Sequence, residues 1–360
     1  MMKPTGTQRG FILVASIWVM AALILMVSAF ALWVETSLNR AITQDQYHRG
    51  NIDAIATRDI LLYIAATEHA TTAGINLPDD AGSATQVNGM SLDDFLGGAI
   101  IDDMGAKTTT VKGNELAIDA SVYKGLGVSQ FSALDLAGLI PVNSPSTQYS
   151  ESLLSFINTD PATKDRLVST LQDYIDKDDV LRVNGAETFQ YQQRKLPPPP
   201  NTNLFTEFEL QHVLGWKDLS ALWSDTELLS SLTTANVVPY NINAMPRLVA
   251  QIAFDLDESA AEKFIEERQN GPYQNFRDVS QRTGLNFFTH LDKIRVISSQ
   301  YLRFSFWPEG ARLKREIDVY FLPTTRVGDT PWIVSRDLIV PISESDTLAE
   351  PKQPQTNLLR

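Results

Sequence analysis

RGFILVASIWVMAALILMVSAFALWVE, residues 9–35, is the stretch on which the reading of the whole chain turns. From Phe11 to Val34 it is apolar, with only Ser16 and Ser28 as mild polar breaks, and Glu35 ends it abruptly. Twenty-four residues rising about 1.5 Å each make roughly 36 Å of helix, enough to cross a bilayer core with some tilt. Lys3 and Arg9 precede the run, so the leader is expected to stay cytoplasmic and the remaining 325 or so residues to be exported. These residues fit a plain anchor, and Ala29-Phe30-Ala31 also offers a small-x-small site for removal as a secretory signal. A third reading rests on Arg9-Gly10-Phe11 and needs the rest of the chain.

The 360 residues suit one large domain or two ordinary ones beyond the helix, and 43% hydrophobic content supplies a sizeable core. The formal charge is −13, becoming −15 if Lys3 and Arg9 leave with the leader. Such an acidic chain disfavours nucleic acid and anionic lipid as partners and leaves cations or basic protein surfaces open. It has no cysteine, which excludes disulfides, zinc–thiolate sites and thiol catalysis.

Beyond Glu35, Leu38, Ile42, Ile52, Ile55, Leu62 and Ala66 recur near helical spacing without a proline, predicting one long helix to about Ala73. Residues 73–112 are rich in Gly, Asp and Thr and read as loop, with a short helix near 92–96. Glu115 to Tyr123 alternates, placing Leu116, Ile118, Ala120 and Val122 on one face of a half-buried strand; Phe131 to Val142 reads as a second strand. The character then turns helical. Asp160-Pro161 opens a helix whose stripe is Leu167, Val168, Leu171, Tyr174 and Ile175. Further helices are expected after Thr206, after Ser224 with Glu227 as a capping box, at 246–254 and at 259–269. Pro197 to Pro200 is a stiff connector between them. Strand alternation returns at Leu302, Phe304 and Phe306, then Ile317, Val319 and Phe321, then 332–341, and the polar tail from Ser343 reads as disordered. A helical block between two strand groups of one sheet is an insertion into a single domain.

Arg9-Gly10-Phe11 at the head of a membrane helix resembles the class III signal of type IV pilins and type II secretion pseudopilins. That resemblance implies a peptidase that cuts between Gly10 and Phe11 and methylates the new amino terminus, with the apolar helix kept for assembly. The fifth mature residue would then be Ala15, where most such subunits carry a glutamate that neutralises a neighbour's terminal ammonium in the lipid. The subtype that lacks it is the K-type minor pseudopilin. The series Asp173-Tyr174-Ile175-Asp176-Lys177-Asp178, Gly185-Ala186-Glu187, Tyr191, Asn203 through Glu209-Leu210, and Asn241-Ile242-Asn243-Ala244 resembles the ordered motifs of that subtype. Tyr174 stands where the family often has tryptophan, and Ala244-Met245 replaces a more usual Thr-Ala.

The resemblance implies an α+β, pilin-like fold with a large all-α insertion. Its parts would be a leader at 1–10, a membrane helix at 11–34, a body at 35–143, the insertion at 144–292, closing strands at 293–342 and the tail at 343–360. It further implies a single-pass bacterial inner-membrane subunit with its soluble part in the periplasm, capping the type II secretion pseudopilus and helping to start its assembly for export of folded proteins. The implied partners are I-type and J-type minor pseudopilins, the major pseudopilin, the prepilin peptidase and the inner-membrane assembly platform.

Asp176, Asp178, Asp179 and Glu187 are the candidate metal ligands. Asp176, Asp178 and Glu187 take positions 1, 3 and 12 of an EF-hand-like spacing, but Val180 and Leu181 replace an oxygen ligand and the required glycine. This is no EF-hand. An irregular calcium loop and a solvated acidic helix end both fit; acids at a helix carboxyl terminus oppose the macrodipole, which favours an ion. A rival function comes from residues 241–294, which resemble a helix-hairpin-helix module of exported DNA receptors. Its turn, Phe254-Asp255-Leu256-Asp257-Glu258, has three acids and no glycine, and such a turn repels phosphate. Enzyme signals are poor: His48, His69, His212 and His290 lack metal-ligand spacing, and no nucleophile-elbow or phosphate-loop pattern occurs.

Overall fold

The computed structural model describes residues 9–78, 100–101, 107–108, 111–287, 292–322 and 330–359. Two units divide the chain, Met1–Ile52 and Asp53–Arg360. The first helix, α1 (Arg9–Thr67), supplies all the described structure of the first unit and enters the second. In the first unit every large apolar side chain from Leu13 to Val34 is exposed, and this stretch is long and apolar enough to cross a membrane. Its hydroxyls are satisfied inside the helix: Ser16 donates to the Leu13 carbonyl and Ser28 to that of Ile24, each at 2.8 Å. That is how a polar side chain survives in hydrocarbon.

In the second unit α1 changes character. Ala54, Thr57, Leu61 and Ile64 follow the helical repeat and are all buried. Ala54, Leu61 and Ile64 pack in one core with Phe131, Ala133, Phe304, Phe306, Ile317 and Val319 of an antiparallel sheet, and the Thr57 hydroxyl bonds that of Ser129 at 2.8 Å. A separate two-residue pair, β1 (Ile100–Ile101) with β2 (Lys107–Thr108), precedes that sheet in the chain. The sheet contains β3 (Asp119–Lys124), β4 (Ser129–Asp135), β9 (Tyr301–Pro308), β10 (Leu313–Phe321) and β11 (Trp332–Pro341). Its order is β11-β10-β9-β4-β3, so the early and late strands share one sheet as expected. Phe131 faces Phe306 across β4 and β9, and Ile317 faces Phe304 across β10 and β9.

Two strand expectations shift. The alternation expected through Ala120 breaks there: Ala120 has φ +68° beside a bulge and is exposed, while Leu116, Ile118 and Val122 stay buried. The strand expected over 131–142 ends at Asp135, whose side chain accepts from the Ala137 amide and turns the chain into a short 3-10 helix, Leu136–Gly138. A second core begins there and runs from Leu136 to Ile294, so the insertion opens about eight residues earlier than 144. It is predominantly helical rather than all-α. Two short parallel pairs lie within it, β5 (Ile140–Pro141) with β6 (Leu232–Thr233) and β7 (Tyr240–Asn241) with β8 (Ile294–Arg295).

The helices of the insertion are α2 (Gln148–Phe156), α3 (Pro161–Ile175), α4 (Thr188–Gln193), α5 (Ser220–Ser224), α6 (Thr226–Ser230), α7 (Arg247–Phe254), α8 (Glu258–Gln269) and α9 (Phe276–Thr283). Asp160 caps α3 by accepting from the Thr163 amide, and the predicted stripe of α3 is buried. Asp225, not Ser224, caps α6, because its carboxylate reaches the amides of both Glu227 and Leu228. After Thr206 the chain makes a 3-10 helix, Glu207–His212, instead of an α-helix. The short helix expected at 92–96 falls outside the described residues.

The tail departs from its polar composition. It forms α10 (Glu344–Leu348), pairs Lys352 with the outer edge of β3, and buries Leu359 in the core beneath the sheet. Lys352 donates to the Val122 carbonyl and accepts from the Lys124 amide, both at 2.9 Å, so the edge is covered. The tail is therefore structured to residue 359, held by these few tertiary contacts.

Candidate functional site

The carboxyl end of α3 builds the candidate site. Asp173 and Asp176 are three residues apart and project to one side of the helix, and the loop that follows folds back over them. Gly185 makes that return possible: a Cβ there would stand 1.9 Å from Asp173 Oδ2. The loop ends at Glu187, which precedes α4 and whose amide donates to Gln190 Oε1 at 3.0 Å. Asp173, Asp176 and Glu187 then offer carboxylate oxygens that all lie within 4.8 Å of one another. Asp173 is fully buried and Glu187 is 3% exposed.

Two charges about 5 Å apart repel by roughly 3 kcal/mol at an effective dielectric near 20, so three carboxylates need a counter-charge. Arg182 supplies part of it. Its Nη1 donates to Asp173 Oδ1 at 2.8 Å and to Asp176 Oδ2, and its backbone amide reaches Asp173 Oδ2 at 3.3 Å. Other oxygens stay unmatched. Both Glu187 carboxylate oxygens, Asp176 Oδ1 and Asn201 Oδ1 are buried and take no hydrogen bond of full geometry from a described residue; the Glu187 carboxylate faces only the Gln190 amide, in the capping box of α4. Asn201 is drawn to the loop by its own donation to the Asp178 carbonyl at 2.7 Å. Burial first, then the charges of Asp173, Asp176 and Asp179, push the Glu187 carboxyl up to about 7. Acceptor-only oxygens without donors, in an acidic pocket, are the donor set a hard cation takes.

Of the residues expected from sequence, Asp176 and Glu187 come together. Asp178 and Asp179 are exposed on the loop: Asp178 accepts from the Val180 amide at 2.9 Å and Asp179 from Thr188 Oγ1 at 3.0 Å. Asp173 joins the site although sequence reasoning passed it over; the signal was its spacing from Asp176 on one helix face. Gly10 and Phe11 lie in the first turn of α1, and Ala15 lies one turn further along.

The Asn241-Ile242-Asn243 motif serves as a clamp. Asn241 Nδ2 donates to Asp135 Oδ2 at 2.8 Å, and Asn243 exchanges bonds with the Tyr273 backbone while also donating to the Val296 carbonyl. The helical hairpin α7–α8 exists, but the Asp257 carboxylate already accepts from the Ala260 amide at the start of α8. A negative group thus sits where a phosphate would have to bind. His48, His69 and His212 are exposed.

Residues 129–221 match the family model described as type II secretion system (T2SS), protein K. The match spans 93 of the 360 residues, so the likeness to that family is a likeness of this segment. The matched segment holds β4, α2 to α4 and the whole acidic cluster. Among solved structures, this chain is similar to a chain of the GspK-GspI-GspJ complex from the enterotoxigenic Escherichia coli type 2 secretion system. The identity is 16%, the match covers 60% of this chain and 82% of that one, and the TM-score is 0.44. No curated protein sequence matches.

Proposed function

We propose that this protein is a K-type minor pseudopilin that caps the tip of the type II secretion pseudopilus and helps to start its assembly. The observation that carries the reading is α1, a single helix whose amino-terminal stretch exposes an unbroken apolar surface while its last turns are built into the core of the body. A helix of that kind has to find lipid or other apolar helices along Leu13 to Val34. In a membrane it makes a single-pass anchor; in a fibre it packs against the equivalent helices of other subunits. The subunit would be held in the inner membrane with its body in the periplasm. Cleavage between Gly10 and Phe11 by a prepilin peptidase leaves the Phe11 ammonium as the new terminus. Ala15 has no carboxylate to receive an ammonium from a subunit stacked above, so growth continues below this subunit only. The partners that fit are the I-type and J-type minor pseudopilins and, beneath them, the major pseudopilin, loaded by the inner-membrane platform.

Calcium fits the acidic cluster. Asp173, Asp176 and Glu187 would hold it, with the unpartnered oxygen of Asn201 at hand. The ion would neutralise the mutual repulsion of the carboxylates and pin the 177–187 loop between α3 and α4. The test of the cap reading combines mass and location. Mature protein isolated from membranes should begin at methylated Phe11, and label on the body should mark fibre ends at low copy number. Label spread along the shaft would refute the cap. An amino terminus at Met1 or Leu32 would refute the pseudopilin processing.

A further inference from the structure

Arg182 occupies the middle of the acidic cluster in a way that a surface ion pair does not. One nitrogen, Nη1, serves both Asp173 and Asp176, the two carboxylates that α3 presents side by side. The side chain reaches them from the loop, and 43% of it remains exposed, so nothing in the described structure locks it in. Glu187, buried in the same cluster, receives nothing from Arg182; the one amide facing its carboxylate is that of Gln190 in the α4 capping box, short of full hydrogen-bond geometry. The guanidinium therefore satisfies two of the six carboxylate oxygens and the Arg182 amide a third, which leaves Asp176 Oδ1 and the Glu187 carboxylate without a bond from Arg182.

We propose that Arg182 is a built-in counter-ion that holds the site closed without calcium and must leave when calcium binds, so that it sets the calcium concentration at which the loop is pinned. The inference rests on the calcium reading of the cluster given above. A dication within reach of Asp173, Asp176 and Glu187 would lie only a few ångströms from the guanidinium, and two cations at that range repel strongly in a partly buried site. Occupancy by one excludes the other. The exposed side of Arg182 gives it a way out to water, where its hydration offsets the bonds it gives up. The short loop from Asp176 to Glu187 links the exchange to backbone, because the Arg182 amide is itself bonded to Asp173. Calcium affinity is then reduced by the work of removing Arg182, and the ion-free protein is correspondingly protected.

The test uses the full-length protein in detergent, followed by thermal unfolding in chelator and across a calcium titration. Wild type, Arg182→Gln, Arg182→Lys and Glu187→Gln are compared. Arg182→Gln should unfold at a lower temperature in chelator, and its calcium midpoint should fall by about tenfold or more. Arg182→Lys, whose shorter ammonium cannot serve both carboxylates equally, should lie between it and wild type. Glu187→Gln should lose most of the calcium response. A Gln variant that is unfolded in chelator and folds on calcium addition supports the proposal. Equal calcium midpoints for wild type and Arg182→Gln, or a weaker one in the variant, overturn it while leaving the calcium site standing. No calcium response in wild type or in either Arg182 variant removes the calcium reading and this inference together.

Discussion

Asp135 ends β4 and is fully buried, yet each of its oxygens is matched to donors from distant parts of the chain. Oδ2 accepts from Asn241 Nδ2 at 2.8 Å and the Ser299 amide at 2.7 Å; Oδ1 accepts from the Ala137 amide at 3.0 Å and the Ser299 hydroxyl. An asparagine here would turn an NH2 group towards donors. Asp135→Asn should lose roughly 2–4 kcal/mol, read as a fall in denaturant midpoint, because buried donors lose their acceptor and gain a competing donor. At this scale the sequence was half legible. Asp176 and Glu187 stood out as acids beside a helix end. Asp173 did not, because a carboxylate between Gln172 and Tyr174 reads as part of a polar helix face; only the folded loop, admitted by the missing side chain of Gly185, buries it. The Asn241 and Asn243 clamps were visible as a motif but not as bonds, since their partners lie 30 to 106 residues away.

The sheet carries a buried charge network that its alternating pattern only partly announced. Arg303 on β9 makes two bonds to Asp318 on β10, at 2.7 and 2.9 Å, and Arg336 on β11 reaches Glu207 of the insertion at 2.8 Å. Glu316 lies between them. Burial pushes its carboxyl up, but the charges of Arg303, Lys314 and Arg336 together outweigh that and hold it below the ordinary carboxylate range. A folded value below the unfolded one means that its contribution is full above the unfolded pKa near 4.5 and is lost as pH falls below it. Glu316→Gln should therefore flatten the acid limb of a stability–pH profile and lower stability at neutral pH. An unchanged acid limb would assign acid sensitivity elsewhere. The tail was the least legible element. Its composition from Ser343 is polar, and what orders it is sparse: the backbone pairing of Lys352, the buried Thr356 and the buried Leu359. Leu348, Leu358 and Leu359 are the tail's three leucines and follow no helical or strand period, so no pattern could mark the buried one. Leu359→Ala should cost about 2–4 kcal/mol of body stability, seen as a lower melting temperature, if the tail is part of the core. An unaltered melting temperature would return the tail to a loose appendage.

At the scale of the molecule, the order of helix, strands, helical block and strands was legible because each part has its own hydrophobic period, and the block's place between strands of one sheet follows from that order. The structure adds where the block is attached. Asp135 and Ser299 are hydrogen-bonded at its two ends, so the chain leaves the sheet and returns to it at adjacent points. A short linker from Asp135 to Ser299 can thus replace residues 136–298 without stretching the sheet. Deletion would take Glu207 from Arg336 and leave it only its longer ion pairs to Glu316 and Asp318, at 3.4 and 3.6 Å, so Arg336→Met belongs in the same variant to avoid a poorly compensated buried charge. This gives the cap proposal a decisive form. On that proposal two features would oppose a subunit above this one: Ala15 offers no carboxylate to an incoming ammonium, and the block makes up about half of the soluble chain. Removing either leaves the other in force. A variant with Ala15→Glu, the linker and Arg336→Met should fold as a small body of α1 on the five-stranded sheet and should enter the fibre shaft, detected by label along its length. Ala15→Glu alone should stay at the tip. If the full variant folds, is processed at Phe11 and still marks only fibre ends, then neither the missing carboxylate nor the block is what makes this subunit the cap.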